Sequence, residues 1–488
     1  MDVDTIIVGA GIAGIAAAAQ LLRAGMDDVV VLERAHDVGG TWRDNVYPGV
    51  ACDIPSHLYA FSFRPNPSWT QRYSTGSEIQ DYLRGVARDE GLLPRIRFGT
   101  DVTDMAWNDD DQRWRISTST GDYSCRTLIL AAGRLSEPKT PELPNGESFE
   151  GTVMHSSRWD PSIDLTGKRV AVIGTGASAV QLVPHVAATA ASTVLFQRSA
   201  PFVVPRGDAP ISPESQAAFA ADATTLTRHR DTLFTEAEAG HAARVEDGAD
   251  RAALRATALD HLATQVPDPD LRAQLTPDYE IGCKRVLLSD DYYPAIASGA
   301  VHLESSALVG IDGYEVIAAS GNRFEIDVLV LATGFTTTRP PYAKNVRGRD
   351  GRVLADHWAE GMTAYATMLV AGFPNLMVLD GPNAALGHNS AFVMLEAQAE
   401  LAAALIARMG IESVDVIEAS EAAEREWTAR VDAASTGTVW LSGCRSWYVD
   451  ERSGRLTLLW PGTGTEFREA LRAVAEQPLP VASQHIPA

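Results

Sequence analysis

Two stretches of the chain carry one hydrophobic pattern. Residues 5–8 form a short β-branched run. A glycine turn follows, then an Ala/Leu-rich segment to about residue 24, then an apolar run at 29–32. Residues 170–173 begin the same sequence of features, which ends on an apolar run at 193–196. Short buried strands on either side of a helix-length segment predict two βαβ units with parallel strands. Neither stretch reads as a membrane span. Asp2 and Asp4 precede the first, where a signal peptide needs positive charge, and glycines, Pro184 and glutamine interrupt the second. Residues 95–134 alternate apolar and polar, with 108–111 as a hairpin turn, and 127–133 and 327–335 read as buried strands ending in small residues. Residues 207–279 are rich in Ala, Glu, Asp and Arg with little β-branching, which predicts an inserted helical subdomain with a solvated charged face.

The turns carry the first chemistry. Gly9, Gly11 and Gly14 form GxGxxG between strand and helix; in the second unit Gly174 and Gly176 are followed by Ala179 in the third place. The first glycine permits the tight turn and the second lets backbone approach a pyrophosphate, which then sits on the free N–H groups of the helix start. Glu33 lies 24 residues after Gly9, and Arg198 lies 24 after Gly174. The equal count places them at equivalent strand ends. A carboxylate there accepts from a ribose 2′-hydroxyl, whereas an arginine, here followed by Ser199, receives a 2′-phosphate. FAD on the first unit and NADPH on the second fit. Gly40, Thr41, Trp42, Asp53, Tyr59 and Val102 complete the expected FAD set. Thr175, Ala177 and Ser178 extend the NADP set.

Residues 149–160 read FEGTVMHSSRWD. Phe149, Gly151, His155, Trp159 and Asp160 fall on FxGxxxHxxxW followed by Pro or Asp. Upstream, Gly39-Gly40-x-Trp42, Tyr47-Pro48-Gly49 and Asp53 form a second long motif. Both resemble the fingerprints of Baeyer–Villiger monooxygenases, and the resemblance runs over nearly the whole chain, most weakly at 207–279. It implies two Rossmann-like dinucleotide domains: 1–138 with 338–488 for FAD, and 139–206 with 280–337 for NADP, with the insert at 207–279. Adjacent residues of an extended chain point opposite ways, so Lys284 and Arg285 serve different pockets. By the resemblance, Lys284 approaches the NADP 2′-phosphate, Arg285 is the principal catalytic residue with Asp53 as its partner, and Trp447 lies in a loop closing over the nicotinamide. The implied reaction passes through a C4a-peroxyflavin and inserts one atom of dioxygen beside a ketone carbonyl, giving an ester or lactone. His155 and Trp159 have no evident place in that chemistry and are expected to set the angle between the nucleotide domains.

Composition narrows the alternatives. Of 488 residues, 41 are Lys or Arg and 63 are Asp or Glu, a net charge of −22, which excludes a general affinity for nucleic acid or anionic membrane. No HExxH or similar spacing predicts a metal. The four cysteines, Cys52, Cys125, Cys283 and Cys444, include no CxxC pair and are expected to be free thiols in a cytoplasmic protein, either a monomer or a homodimer. The nearest rival is a flavin monooxygenase that oxidises sulfur or nitrogen, for which a thioether is the substrate. A pyridine-nucleotide disulfide reductase needs a cysteine pair near the flavin, and a flavin-binding sensor has no use for Arg198, Lys284 and Arg285.

Overall fold

A computed structural model describes residues 1–143 and 145–480. Pro144 of the expected NADP domain and residues 481–488 of the expected FAD domain lie outside the described residues. Two sheets organise the chain, one mixed and one all parallel. The larger has eight strands, in the order Val346–Arg347, Val102–Asn108, Arg113–Thr118, Gly121–Leu130, Asp2–Val8, Val29–Leu32 and Ile96–Arg97. The eighth, Leu376–Val378, pairs with the inner half of Gly121–Leu130, whose outer half belongs to the antiparallel hairpin. The second sheet runs Val301–Glu304, Ser192–Phe196, Arg169–Ile173, Val328–Leu331 and Thr152–His155, all parallel. A small antiparallel sheet, Leu308–Asp312, Glu315–Ala318 and Arg323–Glu325, has no counterpart among the expected elements.

Each βαβ turn is built the same way. Gly9 has φ +104° and Gly174 has φ +109°. A Cβ on Gly9 would lie 2.5 Å from the carbonyl oxygen of Ala131, and one on Gly174 would lie 2.5 Å from that of Ala332. Only glycine fits the backbone and the space at these two places. Ala131 and Ala332 end the two small-residue strands. The helices that follow, Ile12–Arg23 and Ala177–Thr189, start at Gly11 and Gly176 with no side-chain cap. Ile12–Arg23 packs its alanine face on the long buried helix Ala391–Glu412.

The insert holds five helices: Pro213–Ala221, Ala223–Ala239, Ala242–Val245, Ala249–Gln265 and Pro269–Gln274. Its ends are drawn together by the short pairing of Val203–Val204 with Leu287–Leu288. Among the described residues no helix is long and apolar enough to cross a membrane.

Glu238, at the end of the insert's second helix, pins it to the rest. Its carboxylate accepts from Asn389 Nδ2 at 2.7 Å and from the backbone N–H groups of Gly464 and Thr465, each at 3.0 Å. It thereby caps the helix Gly464–Glu476. Burial pushes its pKa up, but the bonds from His388, Thr465, Asn389 and Gly464 outweigh burial and bring it to about 2. The unfolded value is near ~4.3. The folded state is therefore favoured by this carboxylate above about pH 4.3, and the contribution disappears as pH falls toward 2. Glu238→Gln is expected to lower the melting temperature at pH 7 and to reduce its loss between about pH 4.3 and 2. Parallel acid limbs for the two proteins would contradict the anchor.

Candidate functional site

Arg285 Nε donates to Asp53 Oδ2 at 2.5 Å, joining residues 232 positions apart. Asp53 lies in the loop after the first βαβ turn, and Arg285 follows the insert. Burial alone would raise the Asp53 pKa, yet the Arg285 charge and hydrogen bond hold it below the usual carboxylate range. Burial would likewise lower the Arg285 pKa, and Asp53 raises it instead. The pair is thus ionised at any working pH, with 27% and 26% of the side-chain surfaces open. A fixed guanidinium with open surface can stabilise negative charge that develops beside it.

Lys284 turns the other way. Its Nζ donates to Ser199 Oγ at 3.0 Å and lies 4.3 Å from the centre of the Tyr279 ring. Burial, then the nearby Arg198 charge, lowers its pKa. Thr175 Oγ1 donates to the Ser199 carbonyl at 2.8 Å, tying this cluster to the second glycine turn. Two converging cations and a hydroxyl form a donor set suited to a phosphate. One expectation is corrected here. Gly9 pairs with Leu32 and Gly174 with Phe196, through N–H to carbonyl bonds of 2.8 and 3.2 Å. The partner of Glu33 is therefore Gln197, and Arg198 sits one residue beyond, because the helix-to-strand connection of the second unit is three residues shorter while its helix and strand are each only one residue longer. The equal spacing of 24 conceals that shift.

Around the first turn, Glu33 accepts from the Ala10 N–H at 2.8 Å, the Ala35 N–H at 2.9 Å and Arg43 at 3.0 Å. A carboxylate has about four acceptor positions, so one is left for a ribose hydroxyl. Gly40, at φ +53°, brings its backbone against Gly11, and Thr41 opens the short helix Thr41–Asp44. Trp42 donates to the Tyr59 hydroxyl at 3.1 Å and meets that ring edge to face. Val102 opens the outer hairpin, beside Asp101. The uncapped helix starts, without acidic residues in their first turns, and the tight glycine backbones suit two dinucleotides.

The loop of residues 39–63 also holds the two units together. Tyr47 donates to Gln181 Oε1 at 2.8 Å, and Gln181 Nε2 donates to the Ala51 carbonyl at 2.9 Å. Burial pushes the Tyr47 pKa up to about 12. A Cβ on Gly49 would lie 2.4 Å from the His185 ring, which accounts for glycine there. On the other side His155 is buried beneath Phe335 and accepts the Ser157 N–H at 3.1 Å. A Cβ on Gly151 would meet the Asp327 carbonyl oxygen at 2.5 Å and the Phe149 ring at 2.6 Å. Arg158 and Trp159 form one wall of a cleft of about 680 Å³ whose other wall is Arg43, Asp44 and Val46. Asp160 accepts from the Ser162 N–H and hydroxyl and so turns the chain. Residues 157–159 of the motif thus lie where the units face each other, while Phe149 and Gly151 pack within the second unit.

The expectation of four free thiols is also corrected. Cys283 and Cys444 form a disulfide, with Cα atoms 6.4 Å apart and a separation of 161 positions in sequence. Spacing along the chain carries no information about this contact, which the loop after Glu421–Ser435 makes by folding over Trp440. Cys283 is fully buried in that apolar cluster, unlike a thiol that exchanges with substrate. Cys52 and Cys125 are free and buried. The disulfide fixes the loop that carries Trp447, which is 41% exposed and meets buried Tyr448 at a tilt of 43°. Two residues at the site escaped the sequence reading. Tyr448 lies beside Arg285, and its pKa, raised by burial, is drawn back by the charges of Arg285 and Arg244. The adjacent Trp447 was the only signal for Tyr448, and Arg244 looked like one solvated charge among many.

The pyridine nucleotide-disulphide oxidoreductase family matches residues 6–241. A Baeyer–Villiger monooxygenase of Streptomyces coelicolor is 44% identical over 96% of this chain and 90% of its own length. A protein of the same name from Pseudomonas aeruginosa is 37% identical, over 96% and 89%. Among solved structures, an oxidized steroid monooxygenase bound to NADP superposes with a TM-score of 0.86 at 30% identity, covering 98% of each chain. Cyclohexanone monooxygenase from Rhodococcus sp. Phi1 bound to NADP⁺ gives 0.88 at 28% identity, covering 97% of each.

Closing a loop of this length stabilises by at most about 5 kcal/mol in the chain-entropy account. Cys444→Ser is expected to melt several degrees below the oxidised protein, and a dithiol reductant should lower the oxidised protein to the same point while leaving the variant unmoved. Equal melting of variant and oxidised protein would contradict the bond.

Proposed function

The chain belongs to the Baeyer–Villiger monooxygenases, and from that we propose that it uses FAD and NADPH to insert one oxygen atom of dioxygen beside a ketone carbonyl, giving an ester or lactone. The observation that carries this reading is Arg285, fixed by Asp53 between two dinucleotide turns and still open on one side. We assign FAD to residues 1–138 and 338–488 and NADP to 139–206 and 280–337. Reliance on NADPH goes with a cytoplasmic setting, where reducing conditions would act on the Cys283–Cys444 bond.

When bound, the two cofactors supply hydride transfer and oxygen activation. The chain's residues bind, orient and exclude water. The turns at Gly9, Gly11 and Gly14 and at Gly174 and Gly176 take the pyrophosphates, and the free acceptor position of Glu33 takes a ribose hydroxyl. Arg198, Ser199 and Lys284 hold the 2′-phosphate, so Lys284 selects NADPH while Arg285 faces the reacting atoms. Arg285 is a permanent cation where negative charge develops, and Asp53 keeps it there without reorganisation. Trp447, on a loop tied by the disulfide and by the Thr337 hydroxyl to its carbonyl, shields the site from water. His155 and Trp159 set the relation between the two units, which governs hydride delivery.

Arg285→Ala is expected to leave NADPH-driven flavin reduction in place and to cut ester or lactone formation by about 100-fold or more, the scale of losing one oxyanion donor. Lysine should not restore it, since a point charge cannot hold Asp53 with one nitrogen and present others to the substrate. Unchanged product yield in Arg285→Ala would refute the assignment. His155→Ala is expected to slow flavin reduction by NADPH; if both reduction and product yield stay as they were, the linker role is wrong.

A further inference from the structure

Arg244 has a different environment from every other cation of the site. It lies in the short helix Ala242–Val245 of the insert, held by Arg251, which donates to the carbonyls of Ala243 and Arg244 at 3.0 and 3.4 Å. Its side chain runs over Gly282, where a Cβ would lie 3.6 Å from Arg244 Cγ, three residues before Arg285. Its guanidinium donates to the Gly240 carbonyl. Among the described residues no carboxylate lies within 4.0 Å of it, although Asp53 serves Arg285. Of the acids on its own segment, Glu246 and Asp247 are exposed, and Glu238 is already occupied by His388, Asn389 and the backbone of Gly464 and Thr465. Burial, then repulsion from Arg285, lowers the Arg244 pKa to about 10, and the Tyr448 phenol is the one group that opposes this. Both guanidinium charges act on that phenol.

A half-buried cation pressed toward another cation without a counter-ion is costly unless a ligand supplies the charge. The dinucleotides already have their donors in the two helix starts and in Arg198, Ser199 and Lys284. Net charge is −22, so an anionic ligand gains nothing from the overall field and must be recognised locally. We propose that Arg244 is a specificity-determining residue that anchors a carboxylate on the ketone substrate. The enzyme then prefers keto acids, with the carboxylate on Arg244 and the carbonyl a few carbons away beside Arg285. The planar fork of arginine matches a carboxylate in two parallel bonds. This rests on the ketone-oxygenating reading above.

The test compares 4-oxocyclohexanecarboxylate, its methyl ester and cyclohexanone with the holoenzyme. NADPH consumption, product mass and, separately, calorimetric binding to the oxidised FAD–NADP⁺ form are followed. The acid is expected to show kcat/KM and affinity about 10- to 100-fold above the ester, the range for charge-assisted bonds. Arg244→Met should remove that advantage, leaving the ester, the KM for NADPH and the rate of flavin reduction as in the parent. Arg244→Lys should retain part of it. Without ligand, Arg244→Met should melt no lower than the parent, because an uncompensated charge has been removed. Equal binding of acid and ester by the parent would overturn the proposal. So would an Arg244→Met variant that loses both substrates alike, or one that raises the KM for NADPH. If none of the three ketones is oxygenated, the reaction assignment fails, and the binding comparison still decides the role of Arg244.

Discussion

The ion pair between Asp53 and Arg285 is the constraint on which the site depends. It joins a loop of the first nucleotide unit to the segment that follows the insert, two residues before the short strand Leu287–Leu288. Each charge would be costly to bury alone, and each makes the other tolerable. The guanidinium is therefore held at a fixed place, always charged, between the two glycine turns. Electrostatic stabilisation of this kind requires that the donor be in position before the reaction. The same pair requires the two units to dock correctly. The contacts of Tyr47 and Ala51 with Gln181, and the close fit of Gly49 on His185, secure that docking from the same loop.

The rest of the chain closes around this pair. Glu238 fixes the insert to the helix Gly464–Glu476, and the disulfide fixes the C-terminal loop to the residue two before Arg285. Tyr448, on that loop, reaches Arg285, and Arg244, on the insert, reaches toward the same phenol. Three segments distant in sequence thus meet at one cation. The insert thereby carries a second positive charge to the site, and the choice of substrate follows from where that charge stands.

Local pattern accounts for much of what was legible in the sequence. The two βαβ units follow from short β-branched runs and glycine turns, and the hairpin at 102–118 from alternation. Lys284 and Arg285 separate as neighbours in an extended chain should, one to Ser199 and one to Asp53. Counting failed where the connection after the second helix is shorter, so that Gln197 and not Arg198 stands opposite Glu33. It failed again for Cys283 and Cys444, since a contact across 161 residues leaves no local trace. Arg244 was hidden for another reason: in an insert rich in Arg, Glu and Asp, a charge that faces inward has the same sequence signature as one that faces water. Only the packing of Gly282 and Gly240 around it separates the two.

The most direct test of the central claim is the division of consumed NADPH between oxygenated product and hydrogen peroxide. The purified flavoprotein would be assayed alone, with cyclic and linear ketones including keto acids, and with a thioether. The account predicts that a ketone accelerates NADPH consumption, that ester or lactone appears in nearly equal amount, and that little peroxide is released. NADPH drained to hydrogen peroxide whatever is added, or acceleration by the thioether alone, would contradict it.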